Sequence, residues 1–149
     1  MDTSVESMSS KVPVHLWIVG GVSLLWNSLG AFDYLMTQLK VEAYMQNFTA
    51  EQLTYFYGFP MWADAAWALG VWGSVVGSFG LLLRRAWSRW AFAVSLLGLS
   101  GTTLYTMILT DGVAIMGGTG NLVFSAAIWA ITIALLVYSV RMTRKGVLH

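Results

Sequence analysis

Four stretches of this chain are each long and apolar enough to cross a lipid bilayer, and they constrain its fold more than any other feature. They cover residues 13–36, 59–83, 87–109 and 121–140. A bilayer core about 30 Å thick is crossed by a helix of roughly 20 apolar residues. Because backbone groups in lipid must be satisfied internally, each stretch is predicted to be a helix. We therefore expect an all-α, integral membrane, four-helix transmembrane bundle that forms a single membrane domain over residues 1–149.

The composition excludes several classes of protein. Hydrophobic residues make up 57% of the chain and charged residues 10%, whereas a soluble domain carries about 25% charged residues. The net charge of +1, without a basic stripe outside the membrane flanks, predicts no nucleic-acid partner. The absence of cysteine excludes disulfides, thiolate metal ligands and a cysteine nucleophile. The first eleven residues are polar and slightly acidic, so no cleavable signal peptide is expected.

The distribution of lysine and arginine predicts how the bundle is oriented. With four spans, the N-terminus, the second connection and the C-terminus share one side of the membrane. That side carries seven of the eight basic residues, and the other side carries only Lys40. Basic residues favour the cytoplasmic side. We therefore expect both termini to be cytoplasmic, with the first and third connections facing outward.

Two connections carry signals for helix starts. Thr49 followed by Gln52 matches a capping box, in which each side chain bonds the other residue's backbone N–H. The apolar residues that surround it predict a short amphipathic helix over 48–57, lying at the outer membrane surface. The third connection ends in a glycine-rich turn before Asn121, which is predicted to be the N-cap of the fourth helix.

A stripe of glycines marks one face of the second helix. Gly70, Gly73, Gly77 and Gly80 follow a 3-4-3 spacing, which places them on the same side of a helix. Small residues allow helices to approach closely in lipid, where no hydrophobic force drives helices together. The stripe is predicted to be a helix-packing face. It could pack within the chain, against the first or third helix, or it could be the seam of a homodimer.

Three carboxylates are predicted at the outer side of the bundle. Asp33 and Asp64 each lie about one turn inside the outer end of a helix, and Asp111 ends the third helix. An acidic side chain costs roughly 2.5–3.5 kcal/mol at the centre of a membrane, so such residues usually face the bundle interior and mark function. Asp64 also lies in the first turn of its helix, where the helix dipole favours a carboxylate.

Aromatic residues accompany these carboxylates. Trp26 shares a helix face with Asp33, Trp67 follows Asp64, and Asn27 lies about two turns deeper. Carboxylates beside aromatic rings suit an organic cation or a sugar. These five residues are the predicted substrate-binding site. In the alternative interpretation the carboxylates reach water or bond Trp, Tyr or Asn side chains across helices, and the rings form the ordinary interfacial belt.

No catalytic motif accompanies this site. The chain contains no nucleophile elbow, zinc-protease helix, phosphate loop or dinucleotide fingerprint. An isolated His15 makes a poor metal site. We therefore predict a protein that is not an enzyme and uses no cofactor or metal. Two functions stay open. One is binding or transport of a small polar or cationic solute by a homo-oligomer. The other is a non-catalytic accessory or scaffold role as a partner in a larger membrane complex.

Three stretches carry a family resemblance: HLWIVGGVSLLWNSLGAFDYLMTQ, FTAEQLTYFYGFPMWADAAWALGVWGS and MGGTGN. Together they resemble a family of small uncharacterised bacterial four-helix inner-membrane proteins, sometimes labelled sugar transporters. They are also loosely similar to DoxX-like proteins. The resemblance covers nearly the whole chain and implies a multi-pass protein of the bacterial inner membrane. It supplies no site residues.

Overall fold

The computed structural model describes residues 11–149, and this part of the chain is helical without a strand. The helices are α1 Val14–Gln38, α2 Glu42–Met45, α3 Ala50–Tyr57, α4 Met61–Leu82, α5 Ser88–Thr103, α6 Gly112–Ile115 and α7 Thr119–Arg144. A π-helical segment, Leu104–Leu109, continues α5. Four helices, α1, α4, α5 with its continuation, and α7, are long and apolar enough to cross a membrane. The predicted all-α transmembrane fold is confirmed. The signal-peptide prediction concerns residues that lie almost wholly outside the described part.

The long helices pack in the order α1, α4, α5 and α7, each antiparallel to its neighbour. Side chains of α7 also reach α1 and complete the bundle. His15 Nδ1 and Tyr138 Oη are 2.6 Å apart near one end. The rings of Trp26 and Phe124 lie 6.1 Å apart, centre to centre, further along.

The two ends of the bundle carry opposite charge. The end that we call the basic end carries Lys11, Arg84, Arg85, Arg89, Arg141, Arg144 and Lys145. The opposite end, which we call the acidic end, carries Asp33, Lys40, Glu42, Glu51, Asp64 and Asp111. Every acidic residue of the described chain therefore lies at the acidic end. This asymmetry is the basis for the predicted cytoplasmic placement of the basic end.

The glycine stripe of α4 faces α5 of the same chain. Cβ atoms added at Gly70, Gly73, Gly77 and Gly80 would lie 3.5, 3.0, 2.7 and 2.7 Å from atoms of Leu99, Ser95, Phe92 and Ser88, respectively. A small residue of α5 faces α4 in the same way, since a Cβ at Gly98 would lie 2.5 Å from the backbone of α4. Buried hydroxyls join the same two helices, with Ser74 Oγ 2.5 Å from Ser95 Oγ. The missing side chains thus let α4 and α5 make their close contact.

The connections at the acidic end contain more helix than the sequence predicts. The capping box is confirmed, because Thr49 Oγ1 accepts from Gln52 N at 3.2 Å and Gln52 Oε1 accepts from Thr49 N at 3.1 Å. This box starts α3 at Ala50, within the predicted segment. The additional helix α2 was not predicted.

The prediction that Asn121 caps the fourth helix is wrong. The chain turns at Gly117 and Gly118, whose φ angles of 116° and 62° lie in the left-handed region that favours glycine. This turn lets α7 begin at Thr119, so Asn121 lies inside the first turn. The N-cap position belongs to Gly118, which has no side chain to bond the free N–H groups.

The last three residues of the chain, which we call the clamp, fold back over the α4–α5 hairpin. Val147 and Leu148 are 5% and 2% exposed, in a core cluster with side chains of all four long helices. The backbone of His149 donates to Arg84 O at 3.0 Å and accepts from Ala86 N at 3.2 Å. The clamp therefore joins the end of α7 to the hairpin through both apolar contacts and backbone hydrogen bonds.

Candidate functional site

Asp33 and Asp64 lie on the neighbouring helices α1 and α4 at the acidic end. Gln38 Nε2, at the end of α1, donates to Asp64 Oδ1 at 3.1 Å. Asp33 lies five residues before Gln38, which places it about 7 Å deeper along the axis of α1. Both aspartates are half-buried. Asp33 thus lies five residues before the end of α1, and Asp64 is the fourth residue of α4.

The unpredicted helix α2 supplies the partner of Asp33. The Tyr44 hydroxyl donates to Asp33 Oδ1. The ring of Tyr44 packs edge-on against Phe32, with the centroids 5.7 Å apart, and lies 5.7 Å from Phe48. A four-residue helix leaves no periodic signal in a sequence, so this phenol could not be placed by pattern alone.

The environment of Tyr44 keeps its phenol protonated. Burial of the ring, followed by the hydrogen bond to the Asp33 carboxylate, raises the pKa of Tyr44 from 10.0 to about 12. Both causes disfavour the phenolate, because it would be poorly solvated and would face a negative oxygen. Between about pH 10 and pH 12, where an exposed tyrosine ionises, Tyr44 therefore keeps its proton and remains a hydrogen-bond donor.

This shift predicts a pH dependence of stability. The raised pKa in the folded state contributes stability that is complete below about pH 10 and is lost as the pH rises through about 12. The free energy of unfolding should fall over this window in the native protein. In Tyr44→Phe the decline should be shallower, because the titrating group is absent. Equilibrium unfolding in detergent at several pH values measures both slopes, and parallel slopes would contradict the assignment.

A cluster of aromatic rings, which we call the aromatic cap, covers the acidic end beside Asp64. Trp67 is near its centre, edge-on to Tyr34 at 5.0 Å between centroids and stacked on Phe56 at 6.1 Å. Phe59 and Tyr105 are 4.8 Å apart. The rings come from α1, α3, the start of α4 and the π-helical segment. The aromatic cap thus ties the connection between α1 and α4 to the long helices.

Asn27 and Trp26 make contacts of their own, away from the carboxylates. Asn27 Nδ2 donates to Ser78 Oγ at 2.9 Å and to Ser74 O at 3.3 Å, within the α1–α4 interface. Trp26 packs against Phe124 of α7. Of the predicted site residues, Asp33, Asp64 and Trp67 lie at the acidic end, Asp33 against α2 and the other two against the end of α1, whereas Trp26 and Asn27 pack between helices.

The remaining charged groups at the acidic end are exposed. Asp111 lies on the bend between the π-helical segment and α6 and is exposed. Lys40, the one basic residue at this end, has its Nζ 4.7 Å from the centre of the Tyr57 ring. Within residues 11–149, no group of three or more His, Asp or Glu side chains is arranged to hold a metal ion.

Four apolar helices of membrane-spanning length define the class to which this chain belongs, that of multi-pass α-helical membrane proteins. Comparison of the chain with protein-family models, curated proteins and solved structures finds no match in any of the three. The resemblance to small bacterial inner-membrane proteins therefore stays a prediction.

Proposed function

We propose that this membrane protein binds a small organic cation at its acidic end, with Asp33 and Asp64 supplying the negative charge. The observation that carries the proposal is the pairing of these carboxylates with neutral donors. Asp33 accepts from the Tyr44 phenol and Asp64 from the Gln38 amide. A neutral donor satisfies an oxygen but leaves the charge of the carboxylate in place. A half-buried, uncompensated carboxylate attracts a cation more strongly than one in open water.

The aromatic cap provides the second part of this recognition. Trp67 follows Asp64 by three residues and so shares its helix face, and Tyr34 lies against Trp67. Cations attach to the faces of aromatic rings with about 0.5–2 kcal/mol. Lys40 on Tyr57 illustrates the same contact within the chain. A quaternary or substituted ammonium group suits carboxylates and rings together.

The location and direction of the site belong to the same proposal. The charge asymmetry supports a cytoplasmic basic end and an outward acidic end, and the family resemblance supports a bacterial inner membrane. Solute from outside the cell would then reach the site first. A single four-helix chain rarely encloses a solute path, so transport would require a homo-oligomer.

Calorimetric titration of the purified protein in detergent with tetramethylammonium tests the proposal. Asp33→Asn and Asp64→Asn are each expected to weaken binding about tenfold or more, because the cation loses a charge partner in a half-buried setting. Asp111→Asn is the matched control. It removes the same charge from the same end at an exposed position, and it should leave the affinity nearly unchanged.

Two results would contradict cation binding at this place. The first is equal affinity for the uncharged carbon analogue of tetramethylammonium, which would mean that charge is not recognised. The second is an equal loss in Asp111→Asn and Asp64→Asn, which would mean that the ligand responds only to the overall negative charge of the acidic end.

A different observation favours an accessory subunit. Rings of the aromatic cap pack 4.8–6.2 Å apart, and both carboxylates already have hydrogen-bond partners, as in a rigid structural end. Many large apolar side chains on the long helices are exposed. Native mass spectrometry after gentle extraction from the membrane separates the two functions. A stoichiometric foreign subunit would support the accessory role, and a homo-oligomer that retains a small cation would support binding or transport.

A further inference from the structure

Two grooves on the outside of the bundle meet at Trp90 near the basic end. The larger groove, of about 780 Å³, lies between α4 and α5. The smaller one, of about 280 Å³, lies between α5 and α7. Trp90 lines both, and its side chain is 64% exposed. The Trp90 side chain therefore forms a ridge that separates the two grooves.

The larger groove has the shape and chemistry of an acyl-chain site. Small residues such as Ala68, Gly73 and Ala91 line it together with Trp72, Trp87 and Trp90. Along α4 it runs from Ala65 to Val76, about 16 Å at 1.5 Å per residue. Half of a 30 Å hydrocarbon core is about 15 Å. Because Ala65–Val76 lies in the middle of α4 and the groove also includes Trp87 and Trp90 near the basic end, it runs from the basic end past the bilayer centre and opens toward lipid.

An arginine with an unused donor lies beside the ridge. Arg89 lines the smaller groove, and its guanidinium carbon is 5.4 Å from the centre of the Trp90 ring. Its Nε is buried and has no hydrogen-bond partner among residues 11–149. Because Nε itself is covered, a ligand would reach this guanidinium through its terminal N–H groups. A phosphate oxygen is a strong acceptor for a guanidinium, because charge and fork geometry both match.

The charges of this end favour an anionic headgroup over a zwitterionic one. The basic end carries seven lysines and arginines, and no carboxylate side chain of the described residues lies there. Among residues 11–149, the ammonium group of a zwitterionic lipid would meet lysine and arginine side chains and no acidic side chain at this end. Basic pockets between transmembrane helices are a known setting for anionic lipid headgroups.

We propose that a diacyl anionic phospholipid from the surrounding bilayer binds astride Trp90. Its phosphate bonds the Arg89 guanidinium. One acyl chain follows the α4–α5 groove, and the other lies between α5 and α7 against Leu136 and Val140. The headgroup contact at Arg89 is at the opposite end of the bundle from Asp33 and Asp64, so the charge recognition is separate from the proposed cation site, although the far end of the acyl-chain groove reaches Ala65.

Native mass spectrometry tests the site with the protein incubated in phosphatidylglycerol or in phosphatidylethanolamine of the same acyl chains. The intact protein should retain phosphatidylglycerol preferentially. Arg89→Gln should lower retention about tenfold, as expected when a hydrogen bond to a charged group is lost. Arg85→Gln is the matched control, since Arg85 is an exposed arginine of the same hairpin, and it should change retention little.

A second variant tests the acyl-chain groove without touching the headgroup contact. Ala68→Leu places a larger side chain in the groove, where it is open to lipid and the fold has room for it. Retention of phosphatidylglycerol should again fall. Equal losses in Arg85→Gln and Arg89→Gln, or unchanged retention in Ala68→Leu, would overturn the proposal. So would equal retention of the two lipids, or a second copy of the chain that protects the groove in place of lipid.

Discussion

Gly98→Ala is expected to lower the free energy of unfolding by about 2 kcal/mol, as overpacking of a tight contact does. The added Cβ would lie 2.5 Å from both Ala66 O and Gly70 N. These are backbone atoms that cannot rotate away, so α4 and α5 must move apart. Their separation would also weaken the hydroxyl contact between Ser74 and Ser95. Reversible unfolding in mixed detergent micelles measures the loss.

Gly21→Ala is the matched control for this prediction. Gly21 lies inside α1, where a Cβ would have no atom within 4 Å. The same substitution there should leave stability unchanged or raise it slightly, because alanine favours helix more than glycine does. Equal effects of the two substitutions would contradict the close contact between α4 and α5 at Gly98.

Leu148→Ala is expected to destabilise the protein by about 3 kcal/mol, within the range for buried leucine truncations. Leu148 is 2% exposed and lies in the core cluster with Leu16 and Phe92. Leu148 follows the end of α7, near the membrane surface, where its side chain would otherwise contact water. The hydrophobic effect therefore favours its burial against the hairpin, in addition to packing. Truncation would leave a cavity and loosen the clamp from Arg84 and Ala86.

Leu97→Ala provides the comparison, because Leu97 is 70% exposed on the outside of α5. Its side chain exchanges one apolar environment for another when the helix packs, so its loss should change stability by less than about 0.5 kcal/mol. The two variants can be compared by unfolding in detergent. A similar effect in both would mean that the clamp contributes little to the stability of the bundle.

The long helices could be predicted from the sequence because few backbone structures can cross a bilayer. Length, apolar content and the need for internal hydrogen bonds give the same answer for each span. The capping box at Thr49 and Gln52 was predictable for a different reason, since two side chains at a fixed spacing bond each other's backbone. The helix α2 and the clamp carry no such pattern, because each is held mainly by contacts with residues distant in sequence.

In the candidate site, the depth of a residue along its helix was easier to predict than the rotation of that helix about its axis. The distance of Asp33 and Asp64 from the helix ends placed both at the acidic end. Rotation was harder to predict, because helices that are apolar on every side give no amphipathic face to orient them. Asn27 therefore turned out to bond α4. Trp26 shares a helix face with Asp33, but one meets α7 and the other meets α2, because the neighbours of α1 change with depth.

The π-helical segment, Leu104–Leu109, changes the angular phase of the last part of α5. An α-helix bonds residue i to i+4, whereas a π-helix bonds i to i+5 and so takes one more residue into each turn. One residue of offset corresponds to a rotation of roughly 100° for everything beyond it. The residues displaced by this offset are those that follow the segment, such as Thr110, whose Oγ1 donates to Tyr105 O five residues earlier at 2.9 Å. The direction in which the chain leaves α5 toward α6 thus depends on how many residues the last turn of this helix contains.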